Sequence, residues 1–275
     1  VGRPAEAAAQ DEPSGRTAGG ASAVPGGVQS IARALDLLEL LADAGGTLSL
    51  SALASASGLP LPTIHRLMRT LLDRGYVRQD AARRYTLGSR LIRLGDTASR
   101  LLGGWLHPLL GQLVRATGET ANLAMLDGDE IVYVAQAPSP HQMRMFTEPG
   151  RRVRPHCTAV GKALLALRPA EQVRAALART GMPAMTPATI TDPELLLAQL
   201  EDVRERGYAV DDGEQEVGVR CFAVALPQAP IPLAVSISGP VARLSDELAS
   251  RVVPALIRTA GELSATIAAE GRGPG

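Results

Sequence analysis

Gly75-Tyr76-Val77-Arg78, followed by Asp80-Ala81-Ala82-Arg83-Arg84-Tyr85-Thr86-Leu87-Gly88, decides how the first third of this chain is read. The stretch predicts two short strands joined by a basic turn, and an amphipathic helical segment leads straight into it. A helix followed by a basic hairpin is how a winged helix holds DNA, with the helix in the major groove and the hairpin arginines on phosphate. The same residues also fit an ordinary helix–hairpin unit with a solvated charged turn. The segments before it carry the decision.

Val28 to Ala44 has a helical period. Ile31, Leu35 and Leu38 recur on one face, Ala34, Leu37 and Leu41 widen the stripe, and Arg33, Asp36 and Glu39 face away. Gly45-Gly46 ends it. Ser49 to Ser57 predicts a second helix with Leu50, Leu53 and Ala54 inward, closed by Gly58. Pro62 suits the first turn of a third helix, Thr63 to Arg74, because its missing N–H costs nothing there. On a wheel, Ile64, Leu67, Met68, Leu71 and Leu72 fall on one side, and Thr63, His65, Arg66, Arg69, Thr70 and Asp73 on the other. Two helices, a Gly-bearing turn and a third helix with polar donors on its free face make a helix-turn-helix. Those donors match phosphates and guanine edges. Such a face taken alone reads more readily as solvated surface; joined to the hairpin it reads as DNA binding. The candidate DNA contacts are Ser30 and Arg33 on the first helix, Thr63, His65, Arg66 and Arg69 on the third, and Arg83 and Arg84 in the turn.

Charge sharpens this. The formal net charge is zero, which excludes a general polyanion binder. Between Thr63 and Arg93, however, eight arginines face two acids, Asp73 and Asp80. Every basic residue except Lys162 is arginine, so the choice of Arg over Lys says little there. Aromatics are 3% of the chain, too few for a stacking platform for single-stranded nucleic acid. Residues 1–27, rich in Ala, Gly, Pro and Ser, predict a disordered tail, neither signal peptide nor membrane span. Cys157 and Cys221 suit a reducing cytoplasm, and no metal-ligand spacing appears. The expectation is a cytoplasmic protein with no cofactor and no membrane partner.

Beyond a connecting helix from Ser89 to Leu102, a Gly103-Gly104 break and a helix from Trp105 to Thr117, the pattern changes. Thr120 to Leu126 and Glu130 to Ala135 are strand-like around Asp127-Gly128-Asp129, and Gln142 to Thr147 reads as a third strand. Thr158 to Leu167, Pro169 to Arg179 and Pro193 to Arg206 are helical. Tyr208 to Asp211, Val219 to Leu226 and Pro232 to Ser238 are strands, and Ser245 opens a terminal helix to about Ala269. This predicts an α+β domain on an antiparallel sheet. Val160-Gly161-Lys162 is no phosphate loop, since His156 replaces the first glycine and Ala163 the Ser or Thr. His156 beside Cys157 reads as a buried cysteine near a helix start rather than a nucleophile and base. Asp211 to Glu216 departs from a calcium-loop spacing, and predicts a solvated turn with one inward carboxylate.

The whole resembles the IclR family of bacterial transcription regulators. The matching stretches are Val28-Gln29-Ser30-Ile31-Ala32-Arg33-Ala34-Leu35, Leu59-Pro60 to Arg66, Tyr85-Thr86-Leu87-Gly88, His156-Cys157-Thr158-Ala159-Val160-Gly161-Lys162, Gly218-Val219-Arg220-Cys221, and Ser236-Ile237-Ser238-Gly239-Pro240. The resemblance implies a winged helix-turn-helix over residues 28–88, a linker helix over 89–103, a GAF/PAS-like effector-binding domain over 104–270 and a short tail over 271–275. It implies a dimer or tetramer on a pseudo-palindromic duplex operator, with a small organic acid or related metabolite as effector. Carried onto this chain, the effector's polar lining is Asp211, Cys221, Ser236 and Ser238 with the backbone N–H groups of Ala159 and Val160. Met143, Met145, Val153 and Val219 are expected to supply the apolar wall. Glu130 to Gln136 and Asp211 to Gly218 are most similar to regulators of allantoin and purine breakdown, which makes glyoxylate, allantoin and allantoate the candidate effectors. The leading expectation is a ligand-responsive repressor of a catabolic operon, with no catalytic residues. The alternatives are a tethered enzyme using Cys157 or Cys221, and a ligand-free dimerisation module.

Overall fold

The computed structural model describes residues 27–101, 106–226 and 229–270. The tails expected at 1–27 (save Gly27) and 271–275, the Gly103-Gly104 break and Trp105 lie outside the described residues. The chain divides into two compact units between Thr97 and Ala98.

The first unit holds α1 (Gln29–Asp43), β1 (Thr47–Leu48), α2 (Leu50–Ser57), α3 (Leu61–Asp73), β2 (Val77–Gln79) and β3 (Tyr85–Leu87), with α4 (Arg90–Leu101) following. Ser49 caps α2, its Oγ accepting from the Ala52 N–H at 3.1 Å. The three strands form an antiparallel sheet in the order β1-β3-β2. Leu37 and Leu41 of α1, Leu53 of α2, and Ile64, Leu67 and Met68 of α3 close a core with Val77 and Tyr85. Gly88 shuts the hairpin onto the end of α3: a Cβ there would sit 2.2 Å from the Gly75 carbonyl oxygen.

The stripe on α1 divides differently from the sequence expectation. Leu37 and Leu41 are buried, whereas Ile31 and Leu35 are 59% and 56% exposed. At about 100° per residue, Leu35 lies roughly 160° round the wheel from Leu37, so one helix face cannot bury both. The apolar arc of α1 is wider than its contact with the core.

The second unit holds α5 (His107–Thr117), β4 (Thr120–Asp127), β5 (Glu130–Ala137), β6 (Arg152–Val153), α6 (Ala159–Leu165), α7 (Ala170–Thr180), α8 (Pro193–Arg206), β7 (Ala209–Asp212), β8 (Val219–Ala225), β9 (Leu233–Pro240) and α9 (Asp246–Glu270). Its six strands form one antiparallel sheet in the order β6-β5-β4-β9-β8-β7. Side chains alternate across the sheet. Ala121 and Leu123 pack with α5 and α9, while Ala124 and Leu126 pack with α6, α7 and α8. The expected third strand, Gln142 to Thr147, is instead an irregular segment. Its carbonyls are taken by side chains, Met143 O by Arg243 and Met145 O by Thr120 Oγ1, rather than by a strand ladder. The short β6 takes the edge beside β5.

The register of β4 on β5 shifts between Leu123 and Ala124: Leu123 faces Ala135 but Ala124 faces Tyr133, leaving Val134 as an extra residue. Such a bulge redirects the side chains beyond it. Gly161 sets the second constraint. A Cβ at this position would lie 2.2 Å from the Pro155 carbonyl oxygen and 2.4 Å from its Cα, so only glycine lets the preceding loop lie against α6. Gly161→Ala is therefore expected to cost about 1–3 kcal/mol in urea unfolding. An unchanged midpoint would contradict this close approach.

Candidate functional site

The candidate site residues gather on two surfaces, one in each unit. On α3, His65, Arg66 and Arg69 are exposed and Thr63 is half-buried, opposite the buried Ile64, Leu67 and Met68. Among the described residues neither Arg66 nor Arg69 has an acidic partner. Their guanidinium groups are open to phosphate or a base edge. In the hairpin, Arg83 is exposed and adopts a left-handed backbone with φ 58°. Arg84 differs: its Nε donates to Asp80 Oδ2 at 2.8 Å, and its backbone N–H donates to Asp80 Oδ1 at 2.8 Å. These bonds hold the Asp80 carboxyl below the usual range, the backbone one most. Arg84 thus braces the hairpin tip. Ser30 is exposed and Arg33 half-buried on α1, apart from the free face of α3 in sequence and element.

In the second unit, a cavity of about 30 Å³ lies between the start of α6 and the sheet. Ala159 and Val160 line it from α6, Asp211 from β7, Val219 and Cys221 from β8, and Ser236 and Ser238 from β9. Register explains the convergence, since Asp211 pairs with Cys221 and Cys221 with Ser238, so all three share a face. Thr158 caps α6 by accepting from the Gly161 N–H at 3.2 Å. The N–H groups of Ala159 and Val160 precede the helix ladder, and among the described residues they meet no acceptor. Met145 lines the cavity as expected. Met143 and Val153 do not. Met143 is 72% exposed because its segment is irregular, and Val153, on edge strand β6, packs with the apolar layer under α6–α8.

Four lining residues escaped the sequence reading: Tyr133, Thr147, Gln215 and Glu216. Tyr133 is three residues from Gln136, so simple alternation sends it to the opposite face; the bulge at Val134 brings it to this one. Thr158 was legible as a cap before an apolar run. Gln215 and Glu216 sit in the acidic stretch expected to be a solvated turn with one inward carboxylate. The structure buries two, Asp211 and Glu214. The compensation is Lys162, fully buried, whose Nζ donates to Glu214 Oε1 at 2.5 Å. Asp211 Oδ1 accepts from the Glu214 N–H at 2.7 Å and the Gln215 N–H at 3.3 Å.

Burial pushes the Asp211 carboxyl up to about 6, with Glu214 adding to the rise and those backbone bonds opposing it. Burial also pushes the Cys157 thiol up to about 12, and raises the Cys221 thiol further. Neither sulfur is a thiolate at neutral pH, so neither is an activated nucleophile. His156 is fully buried with Nε2 donating to Pro183 O at 3.1 Å, and burial lowers its pKa. Among the described residues no group of His, Cys, Asp and Glu could hold a metal ion, and no helix is long and apolar enough to cross a membrane.

Comparison with known proteins converges on one family. A model described as IclR helix-turn-helix domain matches residues 30–81, and one described as Bacterial transcriptional regulator IclR C-terminal matches residues 102–265. The chain is 37% identical over 247 residues to the Transcriptional repressor IclR of Escherichia coli K12, covering 87% of this chain and 90% of that one. It is 33% identical over 231 residues to the HTH-type transcriptional repressor AllR of Salmonella typhimurium LT2, covering 80% and 83%. The crystal structure of an IclR transcriptional regulator from Alicyclobacillus acidocaldarius superposes with a TM-score of 0.77 at 33% identity, covering 88% of this chain and 99% of that one.

The raised Asp211 carboxyl gives a signed prediction. The folded chain holds that proton more tightly than the unfolded one, so this group's contribution to stability is full below pH 3.8 and is lost as pH rises to about 6. Asp211→Asn keeps the Oδ1 acceptor and removes the ionisation. The variant should match the parent near pH 4 and exceed it above pH 7 by on the order of 1–3 kcal/mol in denaturant unfolding. A parent as stable as the variant at pH 8 would contradict the buried carboxylate.

Proposed function

The chain belongs to the IclR family of bacterial transcriptional regulators, whose members among its relatives are regulators rather than enzymes, and from that premise we propose that it represses a catabolic operon in the cytoplasm and leaves its operator when a small organic acid fills the cavity beside α6. One observation carries this reading: Ala159 and Val160, whose N–H groups open α6 and meet no acceptor among the described residues, line a single cavity with Ser236 and Ser238. Four donors in a small, largely buried space suit a carboxylate. Asp211 at the same cavity suits a hydroxyl or hydrated carbonyl on the same molecule. The compact, polar lining supports a small acid such as glyoxylate, with allantoin and allantoate as the larger alternatives.

For DNA, the reading assigns Arg66 and Arg69 to the operator, with Thr63 and His65 beside them and Arg83 on phosphate. Ser30, Arg33 and Arg84 take supporting roles, Arg84 by shaping the hairpin tip. The winged helix spans 28–88, the linker 89–103 and the effector domain 104–270. Self-association is supported by α1, where Val28, Ile31 and Leu35 form an exposed apolar stripe. A dimer would also let two recognition helices read the two halves of a pseudo-palindrome. Release follows from linkage: the effector weakens DNA binding only if it binds the DNA-incompetent state more tightly.

Calorimetry with glyoxylate on the Ser236→Ala, Ser238→Ala double variant tests the site. Losing two buried hydrogen bonds should weaken glyoxylate roughly 30- to 150-fold and leave operator affinity intact. An unchanged glyoxylate affinity would place the effector elsewhere. Arg66→Ala should weaken operator binding by about 1–3 kcal/mol and flatten its salt dependence by about one unit of slope. An unaltered affinity and slope would remove Arg66 from the DNA contacts.

A further inference from the structure

Asn122 lies on β4 in the middle of the six-stranded sheet, fully buried, on the face that floors the cavity. Its register partners on that face are Ser236 of β9 and Gln136 of β5. Gln136 Nε2 donates to Asn122 Oδ1 at 3.1 Å. Asn122 Nδ2 in turn donates towards Ser238 Oγ at 3.3 Å and Ser236 Oγ at 3.5 Å. The row runs one way, from Gln136 through Asn122 to both serines.

That direction has a chemical consequence. An amide nitrogen carries two hydrogens and can only donate, whereas a serine hydroxyl both accepts and donates. With a lone pair of each serine oxygen facing Asn122, the serine protons must point elsewhere, and the cavity lined by both serines is the open direction. Cys221 lies beside Ser238 in the register, but sulfur is a weak acceptor and cannot compete with a carboxylate oxygen. The cavity needs such a bias, because Asp211 and Glu216 also line it and place acceptors there. Serines free to rotate could instead present lone pairs and welcome a donor.

We propose that Asn122 is a specificity-determining positioning residue: held by Gln136, it keeps Ser236 and Ser238 turned as proton donors into the cavity, so that the site takes a carboxylate and discriminates against the isosteric amide. The proposal rests on the reading that these serines meet the effector. It predicts that selectivity, and not only affinity, is set one side chain behind the ligand. The opposite orientation of both amides would draw the serine protons inward and favour the amide, so ligand preference reports the direction of the row.

The test is a mutant cycle read by calorimetry with glyoxylate, pyruvate and pyruvamide. Asn122→Leu is placed in the parent and in the Ser236→Ala, Ser238→Ala background, and near-isosteric Asn122→Asp is carried through the same cycle in case the leucine variant does not fold. In the parent background, losing Asn122 should weaken the carboxylates about tenfold and narrow the preference for pyruvate over pyruvamide. In the serine-free background the same substitution should change neither, since no hydroxyl remains to be turned; a charge or packing effect would persist there. Equal losses in both backgrounds, no loss in the parent, or a preference shifted towards pyruvate on losing Asn122 would each overturn the proposal. Two outcomes bear on the underlying site instead. Full carboxylate affinity in the serine double variant, or no binding of any probe to the parent, would remove the effector reading and this proposal with it.

Discussion

The second unit depends on a buried ion pair. Lys162 is the only lysine in the chain, and its side chain is withdrawn completely from solvent to meet Glu214. Removing one partner from such a pair strands a charge and costs about 3–5 kcal/mol, so the pair fixes the two segments that carry it. One is α6, whose first two residues, Ala159 and Val160, line the cavity. The other is the turn after β7, where the N–H groups of Glu214 and Gln215 hold Asp211 in place. Thr186 and Thr189 tie the same turn down by donating to the Gly213 and Glu214 carbonyls, each at 2.6 Å. Without the pair, the donors and the acid of the cavity would lose their common frame.

A polar cavity laid on an apolar sheet is costly unless every polar group has a purpose or a partner. Here the two halves of the floor are differently equipped. The row from Asp211 through Cys221 to Ser238 gives it an acid with a raised affinity for protons. The row from Gln136 through Asn122 to Ser236 gives it donors. On the proposed function, an effector with a carboxylate at one end and a hydroxyl or hydrated carbonyl at the other would meet both. A ligand-responsive regulator gains from this economy, since few atoms on the ligand can satisfy many groups on the protein.

Much of this was legible in the sequence because it rests on short-range periodicity. The split of α3 into Ile64-Leu67-Met68 and His65-Arg66-Arg69 is a wheel property, and Ser236 and Ser238 share a face by alternation. Cys221 and Asp211 reached the same cavity through register, which the family motifs anticipated. What the sequence hid depends on non-local geometry. Tyr133 enters only through a bulge that a strand pattern does not announce. Met143 left because its backbone is claimed by Arg243, a hundred positions later in the chain. Glu214 is inward only because Lys162 comes to meet it, and neither residue signals the other in sequence. On α1 the pattern was right about the helix and wrong about the face, since an arc wider than the core contact leaves Ile31 and Leu35 open.

We propose that a small acid bound in the second unit governs DNA binding by the first. The most direct measurement is fluorescence anisotropy of a labelled duplex taken from upstream of the protein's own gene, titrated with the parent chain at fixed salt, with and without saturating glyoxylate. The DNA dissociation constant should rise by about 5- to 150-fold with the acid present, the usual range for coupled sites. A constant that is the same under both conditions, with glyoxylate shown by calorimetry to be bound, would contradict it.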